Sequence, residues 1–160
     1  MAKKRTAPTR WLDDQEEAAW RAVAQAMHKL QWALGCQLER DAGLSYIEYH
    51  ALARLSEEPE HTLRMSELAA LTNASLSRLS HLITRLEGRG LVRRQPDSTD
   101  GRFTLAILTD KGYKKLVASA PAHVETVREL VVDPLSPSEL KQLKEACDRI
   151  SAQVDASTST

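Results

Sequence analysis

The sequence predicts a mainly α-helical chain interrupted by one β-hairpin. Apolar residues recur at steps of three and four along several segments, the spacing of one helix face. Serine, threonine or aspartate stands just before these stripes, often with glutamate three residues on, the signature of a capped helix start. Residues 91–108 break the pattern, with two short apolar runs on either side of a loop made of turn-forming residues.

The first helix is expected to begin near Asp13, with Glu16 completing a capping box. Trp20, Val23, Met27, Leu30, Leu34 and Leu38 form one stripe, long enough to predict packing against another long helix, as in a dimer. Trp32 and Cys36 lie opposite the stripe, so the second half of this helix is expected to be buried on two sides. Ser45 and Glu48 open a helix over 46–56, which Glu58-Pro59-Glu60 ends, and Thr62-Leu63-Arg64 reads as one short strand. Ser66 is expected to cap a short helix over 67–71. After the turn 72–75, Ser75 caps a helix running to about Arg89, with Leu79, Leu82, Ile83 and Leu86 inward and Gly90 as the stop.

Strands are predicted at 91–95 and 103–108, with Phe103, Leu105 and Ile107 on one face. Thr109 caps the next helix, in which Pro121 should produce a kink or interruption. Ser136-Pro137-Ser138-Glu139 starts the last helix, whose stripe of Leu140, Leu143, Cys147, Ile150 and Val154 makes Cys147 a core residue. The domain reading is a flexible basic arm at 1–12, a helix at 13–42, a central unit at 43–109, further helices at 110–154 and a disordered tail at 155–160.

Composition excludes several functions. Hydrophobic residues make up 42% of the 160, enough for a core. No apolar run approaches the roughly 18 residues that cross a bilayer, so no membrane association is expected. The basic N-terminus has no apolar segment behind it, so a cytoplasmic protein is expected rather than a secreted one. His28, His50, His61, His81 and His123 make no metal-binding pair, and Cys36 and Cys147 match no ligand spacing. With no glycine-rich phosphate loop and no nucleophile elbow, neither an enzyme nor a cofactor or metal is expected.

The net charge is zero but segregated. Residues 11–60 carry ten acids against four bases, whereas 78–102 carry six arginines, no lysine and only Glu87, Asp97 and Asp100. Arginine suits bidentate bonds to phosphate and guanine. Helix, short helix, turn, helix and hairpin in that order describe a winged helix-turn-helix with a two-stranded wing, here flanked by N- and C-terminal helices. Its second helix would present Ser77, Arg78, Ser80, His81, Thr84 and Arg85 outward from the Ser75 cap, and Arg94 follows in the first strand of the wing. At the wing tip Asp100 is placed to orient Arg102 for a minor groove. Double-stranded DNA is the partner these residue types fit, and a winged-helix protein-interaction module without DNA binding is the alternative.

Met65-Ser66-Glu67-Leu68-Ala69, the run Arg85-Leu86-Glu87-Gly88-Arg89-Gly90-Leu91-Val92-Arg93-Arg94, and Asp100-Gly101-Arg102 followed by Leu108-Thr109-Asp110-Lys111-Gly112 resemble the MarR family of bacterial transcription regulators. The likeness spans 13–154. It implies a homodimeric transcription regulator, more often a repressor, with the terminal helices as its dimerisation layer. It places Ser77, Arg78, Ser80, His81 and Arg85 at the major groove and Arg102, braced by Asp100, at the minor groove. The chain departs from the family at Ser98, where proline is frequent, at His81, where arginine is common, and at Gly101, where a basic residue is common and glycine should loosen the wing. The family also commonly binds small aromatic or phenolic effectors, for which Trp32, Cys36, Tyr49 and His50 are the candidate lining. Thiol-based redox sensing at Cys36 is the alternative mode of regulation.

Overall fold

The computed structural model describes residues 9–158. The chain divides into two compact units, residues 1–33 and 34–160. The first holds the start of α1 (Asp14–Ala42). The expected box is formed there: the Glu16 N–H donates to Asp13 Oδ1 at 2.8 Å and the Asp13 N–H to Glu16 Oε2 at 3.1 Å. Trp20, Val23 and Met27 of the stripe are exposed. The basic arm expected at 1–12 lies largely outside the described residues.

In the second unit, α2 (Tyr46–Glu57) and a 3₁₀ turn lead into β1 (Thr62–Arg64). There follow α3 (Met65–Leu71), α4 (Leu76–Gly88), β2 (Val92–Pro96), β3 (Thr104–Leu108), α5 (Asp110–Val127) and α6 (Pro137–Thr158). Ser45 and Glu48 cap α2 reciprocally, as expected. β1 completes an antiparallel sheet in the order β1-β3-β2, with Leu63 opposite Ala106 and Arg94 opposite Ala106 from the other side. The outcome is a winged helix-turn-helix with flanking helices, its wing joined by a third strand. The core gathers Leu38, Leu44, Leu52, Leu55, Leu68, Leu79, Ile83, Leu86 and Val92 from every layer of this unit, each sealed from solvent.

Several local expectations are corrected. α3 begins at Met65, one turn residue before Ser66, and its cap is Arg64, whose N–H donates to Glu67 Oε2 at 3.0 Å. β1 runs directly into α3, and starting at Met65 buries that side chain. As expected, Leu105 and Ile107 share one face of β3, here half-buried, while Ala106 and Leu108 on the other face are buried. α1 beyond Ala33 is buried on one side only: Leu34, Gln37, Leu38 and Ala42 are covered and Cys36 is exposed. α5 runs through Pro121 without interruption. The carbonyl of Val117 loses its donor there, but Val117 lies on the exposed side, where water can replace it. Cys147 is exposed, not core, because no described residue of α6 is buried. The tail expected to be disordered from 155 is helical to Thr158, and 159–160 lie outside the described residues.

One close approach fixes the junction of wing and α5. A Cβ added to Gly112 would stand 2.0 Å from the Leu91 carbonyl oxygen. Around it, Thr109 Oγ1 donates to Gly90 O at 2.8 Å and Lys111 Nζ to Arg89 O at 2.7 Å. Only glycine lets the first turn of α5 sit this tightly on the start of β2.

Candidate nucleic-acid interface

The helix-turn-helix is set by backbone chemistry between α3 and α4. Thr72 and Ala74 N–H groups donate back to Leu68 O and Ala69 O, and Asn73 takes a left-handed φ of 49°. Asparagine tolerates that conformation better than most residues. Ser75 Oγ then accepts from the Arg78 N–H at 3.3 Å, so Ser75 serves as the cap of α4. With Leu79, Leu82, Ile83 and Leu86 buried, Ser77, Arg78, His81, Thr84 and Arg85 are left exposed and Ser80 half-buried.

These side chains differ in what holds them. Arg78 has no ion pair or side-chain hydrogen bond among the described residues. Arg85 lies 3.3 Å from Oε1 of the buried Glu48, and Arg89 lies 3.7 Å from its other oxygen while donating to Gly43 O. Thr84 Oγ1 donates to Ser80 O. Arg94 donates from Nε and Nη2 to Glu87 Oε2 at 3.0 and 2.6 Å and reaches Thr84 Oγ1 at 3.2 Å, tying β2 to α4. Arg94 also holds the Glu87 carboxyl below its usual range, through side-chain and backbone N–H donors. Arg94 therefore braces the wing against α4 in addition to facing the surface.

At the wing tip Arg102 is 84% exposed and doubly bonded to Asp100, Nε to Oδ1 at 2.9 Å and Nη2 to Oδ2 at 2.6 Å. The Arg102 guanidinium and N–H lower the Asp100 pKa. Despite Gly101, the tip is tied: Phe103 N–H donates to Asp100 O and Asp97 N–H to Phe103 O, each at 3.0 Å.

Two residues outside the sequence-based set organise this loop. Arg64 donates to Asp97 Oδ2 from Nε and Nη2 at 3.0 and 2.9 Å, and its guanidinium lies 4.5 Å from the Phe103 ring centre. The other Asp97 oxygen accepts from the Thr99 hydroxyl at 2.6 Å and N–H at 2.8 Å. Those Thr99 donors, and then Arg64, hold the Asp97 carboxyl down to about 2. The Asp-x-Thr spacing is an Asx-turn signature that could have located Asp97; nothing in the sequence paired it with Arg64 33 residues away.

Of the candidate effector residues, Tyr49 and His50 pack against each other. Tyr49 is part of the core, with its ring 5.9 Å from that of His50 and 4.5 Å from that of His123. His50 is half-buried and Tyr46 packs on it at 4.2 Å. Cys36 is exposed and Trp32 is 73% exposed.

A family model described as MarR family matches residues 42–102. Sco3205 of Streptomyces coelicolor, a MarR family transcriptional regulator solved in complex with DNA, is 42% identical, with a TM-score of 0.87 over 91% of each chain. The chain belongs to the MarR family of transcriptional regulators. AbsC of the same organism, another MarR family regulator, is 39% identical over 92% of this chain and 99% of AbsC, with a TM-score of 0.87. Among curated relatives, the transcriptional repressor MprA of Escherichia coli K12 is 26% identical over 113 residues. That match spans 71% of this chain and 64% of MprA. In this MarR protein, glycine at 112 is the residue the α5 junction tolerates.

Proposed function

We propose that this MarR protein is a cytoplasmic homodimeric repressor that binds an inverted-repeat operator in double-stranded DNA. Arg78 carries the reading: it is a guanidinium with no partner among the described residues at the exposed start of α4, the helix that would enter the major groove. A bidentate arginine–guanine contact discriminates by about 1–3 kcal/mol. Ser77, Ser80, His81, Thr84 and Arg85 complete that surface beyond the Ser75 cap, with Arg94 bracing the wing. Arg102, pre-oriented by Asp100, would enter the adjacent minor groove. The DNA complex of Sco3205 supports DNA as the partner.

The exposed stripe of α6 and that of α1 supply apolar surface for a second copy, in keeping with the dimerisation layer at 13–42 and 110–154. Twofold symmetry would set the recognition helices about 34–36 Å apart on the duplex. A small aromatic or phenolic effector acting near Tyr49 and His50 would release DNA by shifting the population between two spacings of those helices. No described helix is long and apolar enough to cross a membrane. The test is fluorescence anisotropy with duplexes selected by the protein from a random pool, at several salt concentrations. Selection of an inverted repeat, with Arg78→Ala abolishing preference at one base pair, is the expected result. Equal affinity for all duplexes would defeat the operator assignment.

A further inference from the structure

Between α4 and the wing lies an open cleft of about 480 Å³, lined by Arg64, Ser66, Leu76, Ser80, Phe103 and Thr104 among others. If α4 occupies a major groove, roughly 12 Å wide, and the wing the neighbouring minor groove, roughly 6 Å wide, one sugar–phosphate backbone separates them and must pass between these two elements. The lining matches that occupant. Leu76 and Phe103 offer apolar surface to deoxyribose, while Ser66, Ser80 and Thr104 offer hydroxyl donors.

Arg64 adds a fixed charged donor. Its Nε and Nη2 are taken by Asp97 and its face by Phe103, so the guanidinium plane is locked. Nη1 has no hydrogen-bond partner among the described residues, and the side chain remains 37% exposed. A locked arginine with a free donor loses little entropy when an anion arrives.

We propose that this cleft seats one DNA strand's backbone and that Arg64 is its phosphate contact. The proposal rests on the DNA-binding reading above. Its occupant is the backbone, so Arg64 contributes affinity at one phosphate and no base preference.

The test uses a duplex selected by the full-length protein, with each phosphate replaced in turn by a neutral methylphosphonate. Wild type should lose about tenfold in affinity at a phosphate lying between the major- and minor-groove contacts. Arg64→Gln should bind the native duplex about tenfold more weakly, become indifferent to that one replacement, and keep wild-type sensitivity at every other phosphate. A variant that weakens binding yet retains every phosphate sensitivity would make Arg64 a structural brace alone and overturn the proposal. So would a wild-type scan with no sensitive phosphate between the grooves, a result independent of whether Arg64→Gln folds. Failure to select any duplex would overturn the DNA-binding reading itself and the cleft with it, whereas a selected duplex that leaves Arg64 silent removes only the cleft.

Discussion

Between Leu44 and Leu116 helices and strands alike contribute apolar residues to one sealed cluster, with Leu52, Leu68, Leu79, Ile83 and Leu86 coming from three helices. α6 carries a stripe of similar chemistry and leaves Leu143, Ile150 and Val154 42%, 53% and 52% exposed. Both regions have helical periodicity and well-formed caps: Ser136 and Glu139 bond reciprocally at the start of α6, as Ser45 and Glu48 do at α2. Periodicity and capping therefore make a helix without deciding what its apolar face meets. The winged region satisfies itself; the terminal helix has surface that a second copy would cover.

The sharpest way to break the self-contained region is at Gly112. Gly112→Ala drives a methyl into the Leu91 carbonyl oxygen, a backbone atom with no rotamer to move. The expected loss is about 3 kcal/mol, from overpacking at a junction that fixes both wing and α5. Thermal or urea unfolding measures it, and an unchanged midpoint would mean that α5 can dock on β2 in another way. At the other extreme, Leu143→Asp with Ile150→Asp should leave the unfolding of the winged region intact. The same pair should convert a dimer to monomer in sedimentation, because each such side chain contributes about 1.5–3 kcal/mol when covered. A double variant that still sediments as a dimer would locate the seam elsewhere.

A smaller effect separates paired from unpaired arginines within α4. Arg78→Ala should cost about tenfold or more in affinity for the selected duplex, since no described residue competes for that guanidinium. Arg85→Ala should cost less, because Arg85 is shared with Glu48, and its removal also leaves that buried carboxylate with Arg89 and the Ser45 N–H. Equal losses in anisotropy would show that DNA displaces Glu48 from Arg85.

The sequence predicts the caps at Asp13, Ser45, Ser75, Thr109 and Ser136 because capping is local: donor and acceptor stand three residues apart. The inward face of α4 and the Asp100–Arg102 brace are legible for the same reason. The pairing of Arg64 with Asp97 and the joining of β1 to β3 are not. Each is decided by tertiary contact between segments 30 to 45 residues apart, which no local pattern encodes. Cys147 fails differently. Its stripe is real, but a monomer supplies nothing to bury it. Tyr49 and Cys36, both candidate effector residues in the sequence, likewise end on opposite sides of the burial boundary.

The border of the self-contained core can be probed with protons. His123 of α5 is buried, and its Nδ1–H donates to Gln37 Oε1 of α1 at 3.1 Å, while Gln37 in turn donates to Asp41. His50 of α2 has an Nε2 without a hydrogen-bond partner among the described residues. Burial lowers both pKa values from 6.5; for His50, His123 and Arg54 push further down and Glu57 pulls back. A histidine whose folded pKa is depressed takes up its proton more readily when unfolded. Stability is therefore intact above pH 6.5 and declines as pH falls below it, until the folded-state pKa is reached. Asp97, held near 2, gives up its contribution only below its ordinary 3.8, so the interval from pH 6.5 to about 5 isolates the histidines. Urea unfolding across that interval should slope downward toward acid in wild type and flatten in His123→Gln with His50→Gln. A slope unchanged in the double variant would assign the acid sensitivity to groups outside this border.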